Sequence, residues 1–197
     1  VVDPTHGGAG AECNWNYGLD EGIMAPADQR MLSTKFEKGD YMAWTQTNYS
    51  MFAGSTNSPT NSVSVKGYWG NGWYGIRKAN LAIKNIGLMV NATQEERDII
   101  LGQAYFFRGY LHYEILRNWG HIAYIDTVWN ASDVIEPKIL SYADCARKID
   151  ADLRKAAALL PADWDATVVG QATATKNAGR ATKGAAWAII GLNALNA

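Results

Sequence analysis

The sequence offers three histidines, two cysteines and 19 acidic residues for chemistry, and their spacing builds no familiar catalytic or metal site. His6, His112 and His121 show neither HExxH nor any paired spacing, and Cys13 and Cys145 form no CxxC, so no metal site and no activated nucleophile is expected. His112 and Glu114 stand two apart on a helical stretch and so face different sides. Asp20, Glu21 and Asp126 read as solvated loop residues or caps. The glycines of NWG and YWGNGWYG follow no strand, which argues against a phosphate cradle. The residue types in excess are aromatic: 8 Trp and 10 Tyr. Their flat apolar faces with a polar handle suit recognition, because the C–H face of a sugar ring lies on such a surface while Asn, Asp, Gln and Arg bond the hydroxyls. Aromatics in loops are the candidates: Tyr41 and Trp44, with Gln46 and Asn48 beside them, then Trp15 and Tyr17 with Asp28 and Arg30. Those on helical stripes (Trp73, Tyr105, Phe107, Tyr113, Trp119, Trp187) are assigned to core packing.

These side chains must be carried by helices. The strongest signal is residues 93–120, TQEERDIILGQAYFFRGYLHYEILRNWG. Thr93 stands three residues before Glu96, the spacing of a capping box. Ile100, Ala104, Phe107, Leu111 and Ile115 then mark one helix face, Leu101, Tyr105, Tyr113 and Leu116 a second row, and Gly120 the stop. A helix is also expected over about 69–90, with Trp73, Ile76, Asn80, Ile83 and Gly87 on one face. Another runs from Ser141 to Leu160, with Ser141 as N-cap and Pro161 closing it, and a last one opens at Thr182. Residues 121–139 form a connection with an extended stretch at Ile122–Ile125, and 162–179 read as loop. Residues 1–66 show little regular periodicity. The fold class expected from periodicity is all-α, with helix hairpins and long irregular loops.

A net charge of -1 and the lack of a basic stripe argue against nucleic acid as partner. The longest apolar runs fall well short of the ~20 residues a membrane span needs. VVDPTHGGAG has neither the charged start nor the apolar core of a signal peptide. The last helix is still apolar at Leu195, so the chain reads as a fragment of a longer protein.

Residues 103–126, QAYFFRGYLHYEILRNWGHIAYID, resemble the most recognisable helix of the SusD/RagB family, with its Ala-x-Phe-x-Arg-(Ala/Gly)-Tyr core. WYGIRKANLAIKNI at 73–86, SYADCARKIDADLRKAAALLP at 141–161 and GRATKGAAWAIIGLNALNA at 179–197 resemble three further family segments, in the right order. The resemblance implies a TPR-like helical array over 69–197, a loop-rich segment 1–68 contributing to the ligand face, and a truncation at both ends. It implies a binding protein, not an enzyme, with no cofactor. Such a protein sits at the cell surface on the outer membrane of a Bacteroidetes-type bacterium, held by a lipid anchor outside this chain. It passes an oligosaccharide to a TonB-dependent SusC-like transporter, or a peptide in RagB-like members. By position in the family, Trp44 is the platform of the ligand site. Two other classes stand beside this reading: a helical-repeat scaffold for protein–protein contact, and an all-α glycosidase, which needs two carboxylates about 5–9.5 Å apart in one cleft.

Overall fold

The computed structural model describes residues 68–130, 132–134 and 136–197, with only the backbone described at Tyr68 and Trp69. Contacts divide the chain into two compact units, Val1–Asn71 and Gly72–Ala197. The described residues form helices α1 (Tyr68–Asn85), α2 (Gln94–Trp119), α3 (Tyr142–Leu159), α4 (Val168–Ala172) and α5 (Lys183–Asn196), with a 3₁₀ turn at Ile86–Leu88 after α1. No strand occurs among them; the one β-bridge, Ala123 with Ile139, pins the two ends of the α2–α3 connection together. The fold class is thus the expected all-α one.

The helix ends follow the local chemistry of the sequence. Thr93 Oγ1 accepts from the Glu96 N–H at 3.2 Å, and Glu96 Oε2 accepts from the Thr93 N–H at 2.7 Å, so a complete capping box opens α2. Ser141 Oγ caps α3 by accepting from the Asp144 N–H, and Thr182 Oγ1 caps α5 by accepting from the Ala185 N–H, both at 3.1 Å. Gly120 ends α2 at φ 75°, a backbone region that costs a residue with a Cβ.

Helix α3 lies between α2 and α5. Its buried stripe (Cys145, Ala146, Ile149, Asp152, Leu153, Ala156) turns the periodic pattern of the sequence into the centre of the core. Small residues let the neighbours approach: a Cβ on Gly75 would stand 2.4 Å from Leu111 Cδ1, and one on Gly109 would stand 3.0 Å from Leu153 Cγ. Helix α5 buries only Ala186, Ile190 and Asn193. Its opposite face is bare and apolar, with Trp187, Leu192 and Leu195 exposed.

One element was not expected. The short helix α4 falls inside 162–179, which periodicity assigned to loop. It carries no stripe and is held by tertiary contacts: Trp164 is buried beneath it, with Nε1 donating to the Ala181 carbonyl at 2.8 Å and the Arg180 guanidinium 4.7 Å from its ring centroid. A Cβ on Gly170 would stand 1.7 Å from the Trp164 carbonyl oxygen. Gly170→Ala is therefore expected to destabilise the fold by about 2 kcal/mol in a urea titration, since backbone must move to admit the methyl. An unchanged midpoint would mean that α4 shifts freely.

Candidate functional site

The six residues chosen from the sequence as the ligand set (Trp44, Tyr41, Asp28, Arg30, Trp15 and Tyr17) lie outside the described residues. Within the described ones, functional-looking side chains gather instead around Arg108, in the middle of α2. Arg108 sits in FFRGY, where a helix stripe would place an apolar residue, and it is 6% exposed. Its Nε and Nη2 donate to Asp152 of α3 at 2.5 and 2.8 Å, a two-point clamp on one carboxylate. Nη1 donates to Asn80 Oδ1 of α1 at 2.8 Å and to the Asp126 carbonyl at 3.3 Å. The Tyr124 hydroxyl donates to the same Asp152 carboxylate. One guanidinium thus joins three helices and the α2–α3 connection.

His112 completes the cluster. Its Nε2 accepts from the Ile125 N–H at 3.0 Å, so that nitrogen carries no proton, and Nδ1 bears the hydrogen donated to the Arg108 carbonyl at 2.8 Å. The ring stacks on Tyr124 at 4.0 Å between centroids and meets Trp73 edge-on at 5.8 Å. Burial pulls the His112 pKa down to about 4, against the smaller upward pull of its bond to the Arg108 carbonyl and of Asp152, so the imidazole is neutral around pH 7. Burial also raises the Tyr124 hydroxyl, with the Asp152 charge adding to it, so this group stays a donor. Burial alone would weaken the Arg108 charge, but its bonds to Asp152 outweigh that and hold the pKa above the usual value. The side chains of the cluster bond one another and the backbone of the α2–α3 connection, and so position α1, α2, α3 and that connection.

The described residues therefore form a helical scaffold with a buried polar lock. Residues 18–190 match a family of SusD-like proteins described as starch-binding and associating with the outer membrane. The chain belongs to the SusD-like family. Of the six candidate residues, Asp28, Arg30, Tyr41 and Trp44 fall within the matched span, while Trp15 and Tyr17 precede it. The chain is 34% identical over 98 residues to SusD-like protein P2 of Formosa agariphila, an alignment covering 49% of this chain and 19% of that protein. A SusD-like protein of Bacteroides fragilis superposes with a TM-score of 0.56 at 28% identity, covering 65% of this chain and 23% of the other. A laminarin-binding SusD-like protein gives a TM-score of 0.55 at 19% identity over 65% of this chain and 26% of its own. The chain thus spans about a fifth to a quarter of the length of these three relatives.

Two core assignments need correction. Phe107 and Trp187 are 45% and 50% exposed, although both lie on apolar stripes. The inward positions of α2 are taken by Gly102, Arg108, Gly109 and His112, which the close approach of α3 and the polar lock require, and this turns Phe107 outward. Trp187 lies on the bare side of α5 under the Arg154 guanidinium, 5.5 Å from the ring centroid. Tyr113 is buried, and Trp73, Tyr105 and Trp119 pack partly buried against the core. A charged residue at the centre of an apolar helix marks Arg108 as a structural hydrogen-bond donor, and the structure bears this out; its partners were hidden because Asn80 and Asp152 lie 28 and 44 residues from it in sequence.

Two carboxylates, Glu95 and Asp98, share a surface depression of about 330 Å³. Both are engaged in structure: Glu95 Oε1 accepts from the Val168 N–H at 3.1 Å, which ties α4 to α2, and Asp98 Oδ1 accepts from Gln94 Nε2 at 2.7 Å.

Proposed function

We propose that the protein is a cell-surface glycan-binding protein that captures an oligosaccharide and delivers it to a TonB-dependent SusC-like outer-membrane transporter. The observation that carries this reading is the family match over residues 18–190, whose description joins starch binding to the outer membrane. The laminarin-binding relative supports it only through the shared fold. In this reading the helical region 69–197 is the rigid body and residues 1–68 contribute to the ligand face. Trp44 is the stacking platform, Tyr41, Trp15 and Tyr17 extend the aromatic surface, and Asp28 and Arg30 bond the hydroxyls. In this reading binding makes and breaks no covalent bond. The protein acts without a cofactor and is held to the membrane by a lipid anchor outside this chain.

A second reading, a scaffold for protein–protein contact, has one observation in its favour: the bare apolar side of α5 with Trp187, Leu192 and Leu195. In the uptake reading the same surface serves transporter docking. Calorimetry of the full-length protein against neutral oligosaccharides and peptides separates the two. One glycan is expected to bind with a Kd in the micromolar-to-millimolar range, without turnover, and Trp44→Ala is expected to weaken it about tenfold. Undiminished binding by Trp44→Ala would remove Trp44 from the site. Binding of peptides alone would favour a RagB-like role, and silence across both sets would favour the scaffold.

A further inference from the structure

The α2–α3 connection is fixed to an unusual degree. Between Ile125 and Trp129 five backbone groups are bonded by side chains of α1 and α2. Asn80 Nδ2 donates to the Ile125 and Thr127 carbonyls at 3.0 and 3.2 Å, and Arg108 Nη1 donates to the Asp126 carbonyl at 3.3 Å. Arg77 Nη1 donates to the Trp129 carbonyl at 3.1 Å, and the Ile125 N–H donates to His112 Nε2 at 3.0 Å. Closing a chain between two helices needs far less, since exposed loop backbone can be satisfied by water. Anchoring of this kind pre-pays the ordering cost of a binding loop.

Beside this fixed backbone, the last turns of α1 and the connection enclose an open depression of about 340 Å³, lined by Asn80, Ile83, Lys84, Asp126, Thr127 and Val128. That volume is at the small end for ligand pockets and suits one ring, not a whole oligosaccharide. Ile83 and Val128 give an apolar wall for a C–H face. Thr127 and Asp126 offer hydroxyl-bonding groups. Asp126 is already paired with Lys148 Nζ at 3.3 Å, whereas Lys84 has no carboxylate partner among the described residues, so one positive charge is left at the rim.

We propose that this depression is a glycan subsite that takes one carboxylate-bearing sugar unit: its ring against Ile83 and Val128, its hydroxyls on Asp126 and Thr127, its carboxylate on Lys84. The choice of ligand class rests on the glycan-binding reading.

The test is calorimetry of the full-length protein with tri-galacturonate, and with cellotriose as the neutral probe, at low and high salt. Millimolar binding of tri-galacturonate is expected, weaker at high salt. It should fall about fivefold in Lys84→Gln, as for loss of one partly screened charge-assisted hydrogen bond. Both Lys84→Gln and Asp126→Asn alter exposed side chains outside the core, so the fold should survive them. Lys84→Gln should leave any neutral-glycan affinity unchanged. A Lys84-dependent tri-galacturonate signal would uphold the subsite even if no neutral glycan bound. No binding of tri-galacturonate, equal binding by wild type and Lys84→Gln, or cellotriose bound as tightly with the same Lys84 dependence would each overturn it.

Discussion

Asp152→Ala is expected to lower the unfolding free energy by about 3–5 kcal/mol, the range for removing one partner of a buried ion pair. The carboxylate is 3% exposed and receives two bonds from Arg108 and one from the Tyr124 hydroxyl. Truncation leaves a guanidinium in a dry interior with Asn80 and one carbonyl as its remaining partners, and it strands the phenol as well. Tyr124→Phe, which removes one bond and leaves the ion pair intact, should cost about 1 kcal/mol. Arg108→Met combined with Asp152→Leu should recover much of the loss, because an apolar pair of similar volume avoids burying charge. Urea titrations of the four proteins check this. A loss below about 1 kcal/mol in Asp152→Ala would mean that water reaches Arg108 and that the lock is not dry.

The second large effect is expected in acid. His112 is held neutral with its pKa lowered to about 4 from an ordinary 6.5. The unfolded chain therefore takes up a proton at this position before the native one does. The contribution is fully present above pH 6.5, shrinks as pH falls through that value, and levels off below about 4, a total of about 3 kcal/mol. Protonation also turns Nε2 into a donor facing the Ile125 N–H, so the connection that His112 anchors should be the first part to loosen. The charged groups near the ring act in both directions, Asp152 and Asp126 favouring the proton and Arg108 opposing it. Glu96 and Asp144, both depressed by hydrogen bonds, add acid sensitivity that sets in as pH falls through the ordinary carboxylate range and continues below it. A stability profile from pH 7.5 to 4.5 isolates the histidine, and nitrogen chemical shifts report its charge directly. A ring already protonated at pH 5.5 would sink this expectation.

What the sequence revealed and what it hid divide along contact range. Thr93 with Glu96, Ser141 with Asp144, Thr182 and Gly120 are legible because each cap is closed within a few residues, and all four mark helix ends in the structure. The stripe of α3 is legible because both of its neighbours demand apolar surface from it. Helix α4 is not, because Trp164 and Ala181 hold it from outside its own sequence. Phe107 and Trp187 were misplaced for a related reason: periodicity finds an apolar face but not whether a neighbour covers it. The polar lock shows only as an arginine among phenylalanines, and nothing local points to Asn80 or Asp152 as its partners. For the ligand set in 1–68, placement rested on family position and on residue type alone.

Cys145 has a practical use. Its thiol is fully shielded in the first turn of α3, unbonded to another cysteine, and burial pushes its pKa up to about 12. Thiolate is the nucleophile that attacks alkylating reagents, so the native protein should be silent at this position. Labelling there requires the start of α3 to part from its neighbours, and its rate then counts such openings. Peptide-resolved mass spectrometry with iodoacetamide would read that clock in the unmodified protein. Carried out with and without glycan, it would turn ligand capture into a change in the lifetime of a single buried sulfur.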